Sequence, residues 1–138
     1  MRIGSVLIAE DDMITGIFLR NIFEETGCHV IGVVPSGEEV IECVRHVTPD
    51  FIVMDIKLDG LLDGIETAIK IRKEYDIPIL FLSASTDEDS INRAMATNPM
   101  DYLPKPINTM KLKSIIEALM GREDIYRIPC GSHGRRVQ

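Results

Sequence analysis

FIVMDIKLDGLLDGIE, residues 51–66, decides how this chain is read. Phe51 to Met54 are four apolar residues in a row, with no polar residue alternating among them. That is the pattern of a strand covered on both faces of a parallel sheet. Beyond a loop, Asp63 and Glu66 stand three apart at the head of an amphipathic stretch, the spacing of a helix N-cap and capping box. Between them lies Asp55, a carboxylate at the end of the most apolar strand, where an unpaired charge is costly to bury. A strand, a loop and a helix with a lone acid at the strand end make one βα unit carrying a functional group.

Outward from this stretch the same alternation continues in both directions. Ser5 to Ala9, His29 to Val34, Ile79 to Leu82 and Asp101 to Leu103 join Phe51 to Asp55 as expected strands. Helical stripes fill the gaps: Ile14, Ile17, Phe18 and Ile22; Val40, Ile41 and Val44; Ile65, Ala68, Ile69 and Arg72; Ile91, Ala94 and Met95; Leu112, Ile115, Ile116 and Leu119. Ser36 with Glu39 has capping spacing, Thr86 can cap the fourth helix with Asp89 three residues on, and Gly27 and Gly121 stand where the first and fifth helices are expected to end. Five βα units place the chain in the α/β class with a parallel sheet.

Three further polar sites fall where apolar runs stop: Glu10, Asp11 and Asp12; Ser83; and Lys105. In an open parallel sheet such positions converge on a crevice at the carboxyl ends of the strands. Carboxylates crowded there repel one another, and their pKa values rise unless a cation is present. A few hard oxygen ligands with open positions suit Mg²⁺. A hydroxyl and an ammonium beside them complement the oxygens of a phosphoryl group. Each residue also has a plainer role available. The acids can favour the positive end of the first helix, Ser83 can be a turn residue, and Lys105 a solvated lysine. Three adjacent acids exceed what a cap needs, however, and Pro104 and Pro106 restrict the backbone on both sides of Lys105. Asp63 and Glu66 are read as a cap, and Asp59 as a solvated loop residue.

Composition narrows the classes. A chain of 138 residues is about one domain. Its formal charge is −7, and because the segment from Arg122 onward contributes +2, the remainder carries −9, a balance unlike that of a nucleic-acid binder. Cys28, Cys43 and Cys130 show neither CxxC nor zinc spacing and fit core filling in a reducing compartment. No apolar stretch approaches a membrane span and no signal peptide is evident, so a cytoplasmic location is expected. A domain over 1–121 and a short disordered tail over 122–138, linker-like from Gly131, are expected.

The order LIAEDD, FIVMDIKLDGLLDGIE, ILFLSAS and DYLPKPI resembles the receiver domain of two-component response regulators, like that of chemotaxis regulators, over about residues 3 to 120. The resemblance implies a flavodoxin-like, doubly wound (βα)5 fold with strand order 2-1-3-4-5. It implies Asp55 as phosphoacceptor, and Mg²⁺ held by Glu10, Asp11, Asp55 and the Lys57 carbonyl, with Asp12 an extra acid. Ser83 and Lys105 would bind the phosphoryl oxygens, Ser83 and Tyr102 would form the switch, and the Lys105–Pro106 bond would be cis. Lys57 and Ser85 would flank the path of hydrolytic water. Implied partners are a sensor histidine kinase or phosphotransfer protein, and a downstream protein on the face of the fourth helix, fifth strand and fifth helix. No nucleic acid or membrane is implied, and the chain would be a monomer or a phosphorylation-dependent dimer. It would be a self-dephosphorylating switch, not an enzyme acting on other substrates. Two departures touch loops: Lys57 to Asp63 is longer than the family's shortest form, and Asn98 and Pro99 replace small residues.

Rival readings fare less well. A haloacid-dehalogenase-type phosphatase wants a second aspartate where Lys57 stands. A flavodoxin-type FMN carrier wants Ser, Thr and Gly after the first strand, where this chain has acids. A degenerate receiver, acting only as a constitutive interaction module, is the alternative closest in kind.

Overall fold

Residues 4–130 are described by the computed structural model, with side chains described to residue 120. Strands and helices alternate along the chain: β1 (Ser5–Ala9), α1 (Met13–Glu25), β2 (His29–Val34), α2 (Gly37–His46), β3 (Phe51–Asp55), α3 (Gly64–Glu74), β4 (Ile79–Ser83), α4 (Glu88–Ala96), β5 (Asp101–Pro104) and α5 (Thr109–Cys130). All four strand pairings are parallel and the order is β2-β1-β3-β4-β5, the doubly wound flavodoxin-like arrangement.

Strand alternation sorts the core into two halves. Val6, Ile8, Val53, Leu80, Leu82 and Leu103 face one side, where Leu19 and Phe23 of α1 and Leu112 and Ile116 of α5 close over them. Leu7, Ala9, Ile52, Met54, Ile79 and Phe81 face the other, covered by Val40 and Val44 of α2, Ile65, Ala68 and Ile71 of α3, and Ala94 of α4. Both faces are buried, which is why the strands read as unbroken apolar runs.

Helix orientation departs from the expected stripes in three places. In α1 the buried residues are Gly16, Leu19, Ile22 and Phe23, whereas Ile14 and Ile17 are 78% and 55% exposed and Phe18 is also exposed. Apolar residues surround most of this helix, so periodicity alone allows two stripes. Gly16 decides between them, because a Cβ there would lie 3.0 Å from Val33 Cγ1, and only the Gly16–Leu19–Phe23 face can approach the sheet so closely. In α3, Ile71 points inward and Ile69 outward. Arg72 reaches across to donate to the Asn98 carbonyl at 2.9 Å. In α4 only Ala94 is buried, and Met95 is exposed.

Helix ends follow local chemistry. The Asp63–Glu66 capping box is complete, with bonds of 2.7 and 2.9 Å. Ser36 caps α2 by accepting from the Glu39 N–H at 3.2 Å. α1 closes on Gly27 at φ +92°, with Cys28 N–H bonded to the Phe23 carbonyl and Gly27 N–H to Glu24, the paired bonds of a Schellman motif. Thr86 does not cap α4: Asp87 is the N-cap residue, and its own N–H donates to Ser85 Oγ at 3.1 Å. Asn98 adopts φ +58°, a left-handed conformation that asparagine tolerates better than most residues, which explains its standing where small residues are common. The bounds of α5 extend past Gly121, the expected stop. The expected tail over 122–138 lies outside the residues with described side chains, and Cys130 with it. Cys28 and Cys43 are free thiols in and beside the core.

Candidate functional site

The same alternation fixes which polar groups can meet. Continuing the pattern past the strand ends, Glu10, Asp55 and Lys105 share the side covered by α1 and α5, whereas Ser83 and Tyr102 share the side covered by α3 and α4. The first set is in direct contact. Lys105 Nζ donates to Glu10 Oε1 and to Asp55 Oδ2, each at 2.8 Å. Glu10 and Asp55 are buried at 3% and 5% exposure, so this one ammonium is shared between two carboxylates that water scarcely reaches. Carboxylate oxygens of Glu10, Asp11 and Asp55 lie within 4.8 Å of one another. Asp11 is exposed, leaving one side of the cluster open. Backbone donors complete the frame: Lys57 N–H to Asp55 Oδ1 at 3.1 Å, and Asp12 N–H to Glu10 Oε2 at 3.0 Å.

The second set lies alongside. Ser83 is buried, its Oγ accepts from Ser85 N–H at 3.0 Å, and its carbonyl accepts from Lys105 N–H at 2.8 Å. Tyr102 is half-buried against the α3–α4 half of the core and its hydroxyl points at the Ser85 carbonyl, 3.5 Å away. Lys105–Pro106 is cis, as the resemblance implies. Among the residues singled out from sequence, Glu10, Asp11, Asp55 and Lys105 therefore come together as one cluster, with Ser83 and Tyr102 next to it, each bonded to the backbone of Ser85.

Asp12 has a different part. It is the N-cap of α1, accepting from both the N–H and the hydroxyl of Thr15, and these bonds hold its pKa below the ordinary carboxylate value. It contributes to the helix end more than to the cluster. Glu10 moves the other way: burial raises it to about 7, against the hydrogen bonds from Lys105 and Asp12 N–H that lower it. Burial by itself would lower Lys105, but its bonds to Asp55 and Glu10 outweigh that and raise it.

These opposite shifts give a stability test in EDTA. Glu10 titrates from 4.5 when unfolded to about 7 when folded, so the fold takes up the proton across that window. The cost of ionising it is absent below about pH 4.5, grows as pH rises and is fully present above pH 7. Glu10→Gln is therefore expected to raise the metal-free melting temperature more at pH 8 than at pH 5. Asp12→Ala removes a cap and is expected to lower it at both. Thermal scans showing equal Glu10→Gln shifts at the two pH values would contradict the first expectation, and a stabilised Asp12→Ala the second.

Comparison with known proteins agrees with the geometry. The family model of the response regulator receiver domain matches residues 6–117, from β1 into α5. The chain belongs to the response regulator receiver domains. This receiver is 33% identical over 117 residues to the transcriptional regulatory protein PdtaR of Mycobacterium tuberculosis, covering 85% of this chain and 57% of that one. It is 33% identical over 116 residues to a protein-glutamate methylesterase/protein-glutamine glutaminase of Trichodesmium erythraeum, covering 81% of this chain and 33% of that one. The receiver thus spans about half or less of the length of these relatives. The signal receiver domain of a modulated diguanylate cyclase from Desulfovibrio desulfuricans superposes with a TM-score of 0.80 at 35% identity, over 90% of this chain and 98% of that one. Receiver domains bind Mg²⁺ at an acidic pocket, and the Glu10, Asp11 and Asp55 donor set fits such an ion: hard oxygens, an open side and a shared excess of negative charge. Among the described residues of this receiver, no helix is long and apolar enough to cross a membrane.

Sequence reasoning missed three features of the site. Gly64 packs directly under the Asp55 carbonyl, so that a Cβ there would collide with it. Glu38 on α2 reaches the β3–α3 loop, accepting from Leu61 N–H at 3.1 Å. Asp59, read as a solvated loop residue, has an exposed side chain but forms a backbone bridge with Ser36. Only Gly64 left a trace, as a glycine directly after a cap in a place where helix formers are better.

Proposed function

We propose that this receiver accepts a phosphoryl group on Asp55 from the phosphohistidine of a sensor histidine kinase or phosphotransfer protein. One observation carries the reading: a single ammonium, Lys105 Nζ, lies 2.8 Å from both Asp55 and Glu10 in a buried acidic pocket. Asp55 Oδ attacks phosphorus in line, the N–P bond breaks, and imidazole leaves with the bonding pair. Lys105 and Ser83 hold oxygens of the transferred group, and positioning with charge does most of the work. Mg²⁺, with Asp11, Asp55 and the Lys57 carbonyl as ligands and Glu10 acting through water, would supply charge neutralisation for those oxygens. Water later attacks the same phosphorus and returns Asp55. Lys57 and Ser85 flank that path and set its rate; exchanging either with no change in phosphoryl half-life would remove them from that role. A cleft of about 260 Å³, lined in part by Met13, Ile17, Val33 and Pro35, opens beside Glu10 and Asp11, where the donor would approach. The setting expected for this exchange is the cytoplasm.

Output follows from the second set of residues. An acyl phosphate offers a new acceptor to the Ser83 hydroxyl, Tyr102 turns into the space beside β4, and the α4–β5–α5 face changes for its downstream protein. One hydrogen bond and one ring shift populations without saturating them, since moving from 1:99 to 99:1 takes about 5.5 kcal/mol. Beryllofluoride with Mg²⁺ mimics the acyl phosphate. It is expected to shift the amide resonances of residues 84–100 and 102–107 while residues 38–45 stay largely still. Shifts confined to the neighbours of Asp55 would leave phosphate storage without a switch.

A further inference from the structure

Past the end of β1 the chain turns out of the sheet into α1, and the segments following β2 and β3 close over the gap. Ser36 and Asp59 form a parallel bridge there. Two consecutive carbonyls of the β2 end serve opposite sides of the acidic pocket: Val34 accepts from Glu10 N–H at 2.9 Å, and Pro35 accepts from Asp59 N–H at 3.2 Å. The β3–α3 loop is then held a second time, by Glu38 Oε2 accepting from Leu61 N–H at 3.1 Å. Gly60 lies between these two anchors at φ +92°, and a Cβ on it would run into the Glu38 carboxylate. Lys57 is two residues before the first anchor, and its own N–H is bonded to Asp55.

We infer that Glu38 is a positioning residue for the cation: by clamping the loop at Leu61, it holds the Lys57 peptide in place to supply its carbonyl. This rests on the Mg²⁺ reading above. The loop is longer than the shortest receiver form and Leu61 at its tip is 92% exposed, so beyond Leu58, which packs on the core, and the Asp59 bridge, the clamp is what holds the tip. A carboxylate accepting from a backbone N–H is a charge-assisted bond, stronger than a neutral one. Glu38 sits in the first turn of α2, so the clamp runs from the start of that helix to the loop.

The test titrates MgCl₂ into the full chain and follows amide shifts. Glu38→Ala is expected to weaken Mg²⁺ binding about three- to fivefold, the scale of one ordinary solvent-exposed hydrogen bond. It should also speed hydrogen exchange at the Leu61 amide and leave the melting temperature in EDTA nearly unchanged. Glu38→Gln keeps an acceptor without the charge and is expected to recover most of the affinity. Gly60→Ala, whose Cβ displaces the Glu38 carboxylate and which is strained at φ +92°, should weaken binding further, by about tenfold. Unchanged affinity in Glu38→Ala would overturn the inference. So would an equal loss in Glu38→Gln, since the residue would then act through long-range charge alone, or a lowered melting temperature with unchanged affinity. Absence of saturable Mg²⁺ binding in the unaltered chain would instead overturn the metal reading, and the inference with it.

Discussion

Asp55→Asn abolishes phosphoryl incorporation from acetyl phosphate and Mg²⁺ while the fold persists: this is the largest effect expected of any single substitution. The unaltered chain is expected to take up one group, labile to base and hydroxylamine, and chelation with EDTA is expected to stop the uptake. Asparagine keeps the shape of the side chain, and its carbonyl oxygen can still accept from Lys57 N–H or from Lys105, the two donors that hold Asp55. What it lacks is a carboxylate oxygen with a lone pair free to attack phosphorus. The substitution also removes one negative charge from beside Glu10, so no loss of stability is expected in EDTA. Intact-mass measurement and thermal scans read both halves. Robust labelling of Asp55→Asn at another residue would move the phosphoacceptor elsewhere.

Gly64→Ala is expected to damage both the fold and the chemistry, although Gly64 touches no phosphoryl group. Its Cβ would meet the Asp55 carbonyl oxygen, and would lie 2.9 Å from Ile56 Cα and 3.0 Å from Asp55 C. All three are backbone atoms, which cannot swing aside as a side chain can. Either α3 backs away, giving up the 2.6 Å bond from Gly64 N–H to the Ile56 carbonyl, or the end of β3 moves and takes Asp55 with it. Overpacking costs about 1–3 kcal/mol and a lost hydrogen bond about 1 kcal/mol more. For a domain of this size the melting temperature should fall by roughly 10–20 °C. Displacement of Asp55, the proposed nucleophile, by even a fraction of an ångström should slow labelling of the folded fraction at least tenfold, on the order seen for misplaced reacting groups. Gly32→Ala is the control, since a Cβ there meets nothing within 4 Å. If Gly64→Ala labels at the rate of Gly32→Ala, the close packing under Asp55 does not position it.

The three central strands, β1, β3 and β4, were legible because they are buried on both faces, and a sheet covered by helices forces unbroken apolar runs with sharp polar ends. β1, β2 and β3 match their expected bounds, and β4 and β5 each gain one residue, Ser83 and Pro104. The polar ends were legible for the same reason: Glu10, Asp55, Ser83 and Lys105 interrupt those runs. Helix faces were harder. Apolar residues on α1 serve two surfaces, and Gly16, not the hydrophobic period, selects the buried one. Ile69 and Met95 also look like core in a linear pattern and lie outside it. The acid triplet hid a division of labour, since Asp12 caps α1 while Glu10 is buried against Lys105. No residue type announces that division; it depends on where β1 stops and the helix begins. Contacts between loops distant in sequence, such as Glu38 with Leu61, leave no periodic signal at all.

Strand alternation, which put Glu10, Asp55 and Lys105 on one side of the sheet and Ser83 and Tyr102 on the other, has a consequence for how such a domain can diversify. On the proposed function, substitutions around α1 would retune which donor is heard, and substitutions around α4 would retune who is told, with only the thickness of one sheet between the two dialogues. A receiver built this way would be rewired at either end without rewriting the message proposed to pass through Asp55.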